Sequence, residues 1–111
     1  QLEATASLDL NSFGVIPVMP FGAAIDFSGW QRHSSVVIDA AASLGSTPPN
    51  FDLMPKNSAV IYSLHATKVL GAGEGALVIL ENEEMAGELR SWSNFGWPNS
   101  SDVGWVSHGR N

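Results

Sequence analysis

Cysteine is absent from the chain, which excludes a disulfide framework and any thiolate metal site. Charge is also scarce. Asp, Glu, Lys and Arg make up 14% of the 111 residues, against about 25% in an ordinary soluble protein. Cations are the rarest, with five Lys and Arg against eleven Asp and Glu and a net charge of −6. Nucleic-acid binding needs clustered basic residues, so DNA and RNA are excluded as partners. No apolar run approaches the ~20 residues that span a bilayer, and no signal peptide opens the chain. These absences together fit a cytoplasmic protein. Both Gln1 and Asn111 read as cut ends, so an internal fragment is expected. With 44% apolar residues and so little charge, much of the surface is expected to be covered, by a longer chain or by a partner subunit.

What is present is a series of short apolar runs. Val15 to Val18 reads as a buried strand, broken by Pro20 and Gly22. Asp26 to Arg32 predicts one or two helical turns with Trp30 as their apolar anchor. Val36-Val37-Ile38 is a β-branched run ending in Asp39. Ala40 to Leu44 predicts a short helix ended by Gly45, and Thr47-Pro48-Pro49-Asn50 a loop. Ala59 to Ser63 and Ala76 to Leu80 predict two more strands, separated by Gly71, Gly73 and Gly75. A helix then follows, with Asn82 as cap, Glu83 and Glu84 in the first turn, and Met85, Leu89 and Trp92 at helical spacing. Gly96 and Pro98 would end it. Continuous rather than alternating apolar strands predict an α/β sheet buried on both faces. Such sheets hold ligands at the carboxyl ends of their strands, where Asp39 and Ser63 fall.

Three features carry candidate chemistry. Lys68 lies between two apolar strands. Burial there would disfavour its charged form and expose the nucleophilic amine that Schiff-base chemistry needs; the plainer alternative is a solvated loop lysine. Asp39 ends a buried strand, where a carboxylate either caps the following helix or pairs with a ligand. Gly71-Ala72-Gly73-Glu74-Gly75-Ala76 matches the dinucleotide-binding glycine pattern. That pattern must open a helix, whereas this one leads into a strand, so dinucleotide binding is discounted.

In order and spacing, Val36-Val37-Ile38-Asp39-Ala40-Ala41, Tyr62-Ser63-Leu64-His65-Ala66-Thr67-Lys68 and Gly73-Glu74-Gly75 resemble the DegT/StrS-type sugar aminotransferases. Ile16 to Gly22 upstream, and Arg90 to Gly96 and Gly109-Arg110-Asn111 downstream, extend the resemblance from about residue 12 to the end of the chain. The family uses pyridoxal 5′-phosphate on the aspartate-aminotransferase fold (type I), a three-layer α/β/α domain around a mostly parallel sheet. Residues 1–111 would then be a single partial domain, the centre of the cofactor-binding large domain. The resemblance implies that Lys68 holds the cofactor as a Schiff base and shuttles a proton. It implies that Asp39 pairs with the pyridinium nitrogen, Ala41 packs on the ring and Ser63 donates to the phosphate. Asn111 would reach the phosphate of a neighbouring subunit in a homodimer. No metal is implied. The reaction would transfer an amino group, with glutamate as donor, to a nucleotide-linked keto-sugar, as in cell-wall or other polysaccharide biosynthesis. Relatives that dehydrate their substrate carry His in place of the lysine, so Lys68 favours transamination.

Some positions depart from the family pattern or fall outside it. Ala42 stands where a donor to the cofactor's phenolic oxygen is common, and Met19 where a His is common. His65 reads as a structural histidine, and Trp92, Trp97 and Trp105 as packing residues. The glycine-serine phosphate loop, the ring-stacking aromatic and the small domain have no counterpart in the chain. Two alternatives stand beside the enzyme: a non-catalytic protein of the same fold, and an unrelated α/β binding module. A piece of such a sheet has open edges and should self-associate.

Overall fold

The β-branched run at residues 35–39 is the strand on which the rest of the sheet is laid. In the computed structural model, which describes residues 14–23, 25–46 and 49–93, the strands are β1 (Gly14–Val15), β2 (Ser35–Asp39), β3 (Ser58–Ser63) and β4 (Ala76–Leu80). They pair in chain order. β1, β2 and β3 are parallel, and β4 returns antiparallel to β3. The architecture is α/β with a mostly parallel sheet, as the apolar runs predict. The chain divides into two units, residues 1–81 and 82–111, and the helix α1 (Glu83–Ser93) belongs to the second.

The first apolar run pairs less than its composition suggests. Only Gly14 and Val15 are strand. Pro17 has no N–H to offer, but its carbonyl accepts from the Asp39 N–H at 2.9 Å, and the Met19 N–H then donates to the Asp39 carbonyl at 2.8 Å. Met19 enters the core, whereas Ile16 and Val18 face outward at 71% and 55% exposure.

The helix expected over Ala40 to Leu44 does not form. The segment makes two successive turns, closed by Ser43 N–H to Ala40 O and Ser46 N–H to Ser43 O. Local side chains take the groups a helix would use. Asp39 Oδ1 accepts the Ala41 N–H at 3.0 Å. The buried Ser43 hydroxyl donates to Met19 O at 2.7 Å and accepts the Gly22 N–H at 2.8 Å. That hydroxyl stitches the turn after β2 to the turn Pro20–Gly22, where Phe21 takes a left-handed backbone conformation (φ 48°) with its side chain 90% exposed.

The core lies on one face of the sheet. Val36 and Ile38 of β2 and Val60 and Tyr62 of β3 share that face and are buried with Met19, Phe27, Trp30 and Met54. Each such side chain stabilises the fold by about 1.5–3 kcal/mol. The opposite face of the same strands, carrying Val37, Asp39, Ile61 and Ser63, is only half-buried. The expectation of a sheet buried on both faces is therefore met on one face within this chain. β4 is more exposed still, with Leu77 at 45% and Ile79 at 36%. In the second unit, Asn82 caps α1 as its sequence predicts, its Oδ1 accepting the Met85 N–H at 3.0 Å. Gly96 and Pro98, the expected helix end, lie outside the described residues.

Trp30 anchors the loop before β2, in the one-turn 3-10 helix Trp30–Arg32. Its indole N–H donates to Asp26 O at 2.8 Å, and its ring makes tilted contacts with Phe27 and His33 at centroid distances of 5.7 and 5.5 Å. His33 is 5% exposed, and its Nδ1 has no hydrogen-bond partner. Burial lowers its pKa below the ordinary 6.5, and the neighbouring Arg32 charge lowers it further. The folded state thus binds this proton more weakly than the unfolded state. The stabilisation is complete above the unfolded pKa and is lost as pH falls through and below it. Replacing His33 with Phe keeps the aromatic contact with Trp30 and removes the proton site. The urea midpoint of the variant is expected to fall less than that of the parent chain between about pH 7 and pH 5. Identical pH dependence in both would refute the assignment.

Candidate functional site at the carboxyl edge of the parallel strands

Parallel pairing brings the carboxyl ends of β2 and β3 to one edge. Asp39, the last residue of β2, is opposite Ile61, and the ladder continues one step as Ala40 N–H to Ile61 O at 2.9 Å. Ser63 ends β3 two residues further on. Strand geometry puts the Asp39 and Ser63 Cα atoms roughly 8 Å apart. Alternation turns both side chains to the half-buried face, away from the core. The hydrogen bond from the Ala41 N–H orients the Asp39 carboxylate, and the small, half-buried Ala41 follows directly. Ser63 Oγ accepts the His65 N–H at 3.2 Å. One of its two lone pairs is engaged there, and its own O–H remains to donate.

Lys68 sits on a hairpin that rises from this edge. The β3–β4 ladder runs on past Ser63 through Leu64 N–H to Gly75 O at 2.9 Å and Ala66 N–H to Gly73 O at 2.8 Å. The tip beyond is closed by Lys68 N–H to His65 O at 2.8 Å and Ala72 N–H to Leu64 O at 2.9 Å. Lys68 is half-buried, while the adjacent Val69 and Leu70 are 84% and 59% exposed. The lysine is thus neither deeply desolvated nor a fully solvated loop residue.

The glycines serve the shape of this tip. Gly73 has φ +94°, a conformation that side chains resist. Gly71 passes so close to the turn at Ala66 that a Cβ there would lie 2.6 Å from the Ala66 carbonyl oxygen. The loop leads into β4, which agrees with discounting dinucleotide binding.

Lys68, Asp39, Ala41 and Ser63 therefore belong to one edge of the sheet. Met19, at the position where a His is common, is buried in the core and hydrogen-bonds through its backbone to Asp39. Ala42 is half-buried and offers no side-chain donor. Asn111, Trp97 and Trp105 lie outside the described residues, and Trp92 on α1 is 43% exposed. Sequence reasoning missed Ser43, whose partners are 21 and 24 residues away. It also left His65 without partners, although a histidine two residues before a threonine in a tight turn is a spacing that permits a local ring-to-backbone bond. Among the described residues, no helix is long and apolar enough to cross a membrane.

A mostly parallel α/β sheet with a carboxylate at one strand end and a lysine on the hairpin after the next belongs to a known class: the chain has the fold of pyridoxal-phosphate-dependent aminotransferases. It belongs to the DegT/DnrJ/EryC1/StrS aminotransferase family, whose sequence profile matches residues 3–109. A crystal structure from Bacillus cereus, assigned as a PLP-dependent aminotransferase, is similar at a TM-score of 0.71 and 27% identity. The match covers 99% of this chain and 31% of that one, so the chain spans about a third of that neighbour's length. The family match removes the unrelated α/β module as an alternative.

Two glycines give opposite expectations for alanine substitution. Gly71→Ala drives a Cβ into rigid backbone and is expected to cost about 1–3 kcal/mol. Gly87→Ala, on the exposed side of α1 with nothing within 4 Å, is expected to stabilise by up to about 1 kcal/mol. Urea denaturation of both variants checks the pair; a neutral Gly71→Ala would contradict the described hairpin.

Proposed function

We propose that the edge formed by Asp39, Ser63 and the Lys68 hairpin is the cofactor seat of a pyridoxal-phosphate-dependent aminotransferase. One observation carries this reading: a carboxylate and a hydroxyl end adjacent parallel strands, and the hairpin that continues the second strand carries a lysine. The donor set fits a phosphorylated pyridine aldehyde. Asp39 is held with its carboxylate oriented, Ser63 keeps a proton to donate, and Ala41 leaves room for a flat ring.

Pyridoxal phosphate, when bound, supplies an electron sink for proton transfer at an amino-bearing carbon. Lys68 holds the cofactor through Nζ and moves the proton at that atom. Asp39 pairs with the proton on the ring nitrogen and keeps it there. Ser63 donates its O–H to the phosphate. Ala41 packs against the ring. Asn111 serves the phosphate of a neighbouring subunit in a homodimer. The donor is glutamate, the acceptor is a nucleotide-linked keto-sugar, and the setting is cytoplasmic; these follow from the family resemblance of the motifs. Retention of both Lys68 and Asp39 favours an enzyme over a non-catalytic relative, despite Ala42.

Borohydride reduction in the presence of pyridoxal phosphate, followed by peptide mapping, tests the seat. The pyridoxyl adduct is expected on Lys68 and is lost in Lys68→Ala. Asp39→Ala is expected to weaken cofactor binding about tenfold or more, the equivalent of one charge-assisted hydrogen bond. An adduct spread over Lys56 and the amino terminus would overturn the assignment. Formation of 2-oxoglutarate from glutamate, dependent on a nucleotide-linked keto-sugar, tests the substrates separately.

A further inference from the structure

The hairpin that carries Lys68 is closed by side chains to which the proposed function gives no role. His65 is at their centre. Its backbone N–H donates to Ser63 Oγ at 3.2 Å, and its carbonyl accepts the Lys68 N–H at 2.8 Å. Its ring Nδ1 accepts the Thr67 backbone N–H at 3.3 Å and lies 3.0 Å from Thr67 Oγ1. Its Nε2 is 3.4 Å from Glu74 Oε1 on the returning arm. One residue thus links the candidate phosphate donor, the peptide next to Lys68 and the opposite side of the hairpin.

These contacts set the tautomer of the neutral ring. A backbone N–H aimed at Nδ1 requires a lone pair there, so the proton of the neutral ring sits on Nε2 and points to the Glu74 carboxylate. The two sides of the ring are unequal. Glu74 is 87% exposed, and a pair that exposed contributes little. Nδ1 instead holds a backbone amide, which fixes the chain itself. Apolar packing does not do this work, since Val69 and Leu70 on the same tip face outward.

We infer that His65 is a positioning residue: by accepting the Thr67 amide through Nδ1, it sets the Ala66–Thr67 peptide, directly before the Thr67–Lys68 peptide whose N–H its carbonyl accepts, and so aims the Lys68 amine at the edge occupied by Asp39 and Ser63. This rests on the reading of Lys68 as the cofactor lysine. Loss of the ring acceptor therefore changes how readily Lys68 meets the cofactor, while the one-sided core that holds the fold is untouched. An asparagine at position 65 presents its Oδ1 near the place of Nδ1 and restores the acceptor. A glutamine reaches toward Glu74 instead and does not.

The test uses the full chain with His65→Phe, His65→Asn, His65→Gln and Glu74→Gln. Three quantities are read: pyridoxal phosphate affinity by absorbance titration, the fraction of Lys68 trapped by borohydride, and the cofactor-free Tm. His65→Phe and His65→Gln are expected to raise the apparent Kd about tenfold, the scale of a misaimed reacting group. His65→Asn should remain within about threefold of the parent, and Glu74→Gln within about twofold. Cofactor-free Tm values for the asparagine and glutamine variants should match, which separates positioning from stability. If His65→Asn binds as weakly as His65→Gln, or if His65→Phe binds like the parent, the positioning role is overturned. Failure of the parent chain to trap at Lys68 gives a different result, overturning the Lys68 assignment and the role of His65 with it.

Discussion

The parallel pairing of β2 with β3 is the constraint from which the site follows. Register fixes Val36, Ile38, Val60 and Tyr62 on one face, where they are buried. The same alternation forces Asp39 and Ser63 onto the other face. A slip of one residue would bury the carboxylate in an apolar core and expose the isoleucine, at a cost of several kcal/mol for the unpaired charge alone. Hydrophobic burial on one side of the sheet therefore does chemical positioning on the other. The carboxylate and the hydroxyl need no stabilising contact with each other to be neighbours.

Holding the strand-end loops is a separate problem, and polar groups solve it. Ser43 is a fully buried hydroxyl with both its donor and its acceptor capacity used, on Met19 O and the Gly22 N–H. It ties the turn that follows Asp39 to the turn containing Phe21, whose left-handed backbone costs on the order of 1 kcal/mol or more for a non-glycine residue. The brace explains how that conformation persists with the Phe21 ring exposed. It also accounts for the missing helix after β2, because a helix over residues 40–44 would turn the Ser43 hydroxyl away from Met19. A short helix was the better local solution for those alanines, and a long-range hydrogen bond overrode it.

Much of this was legible in the chain and some was not, for physical reasons. β2, β3, β4 and the capped start of α1 could be read because β-branched runs and an Asn-Glu-Glu start act locally. The strand-end locations of Asp39 and Ser63 followed from the same runs. The end of β1 at Val15 was not legible: Ile16 and Val18 are as apolar as any core residue, and only the fold decides which neighbours cover them. The antiparallel return of β4 was hidden because an apolar pentapeptide carries no direction. The glycine spacing before it does carry information. Gly71 and Gly73 mark a tight tip with a close backbone crossing, which separates this loop from a phosphate-binding turn that opens a helix.

Lys68 is half-buried at a hairpin tip. What the tip provides is a fixed origin for a long side chain: a ladder on both arms, a glycine crossing at Ala66, and a histidine that holds the preceding peptide. Under the proposed function, an amine so placed would lose less freedom on meeting an aldehyde at the strand edge. On this account the sequence around Lys68 is selected for the geometry of the turn. Its polar residues, His65 and Thr67, sit where backbone amides must be held, and its glycines sit where side chains would collide.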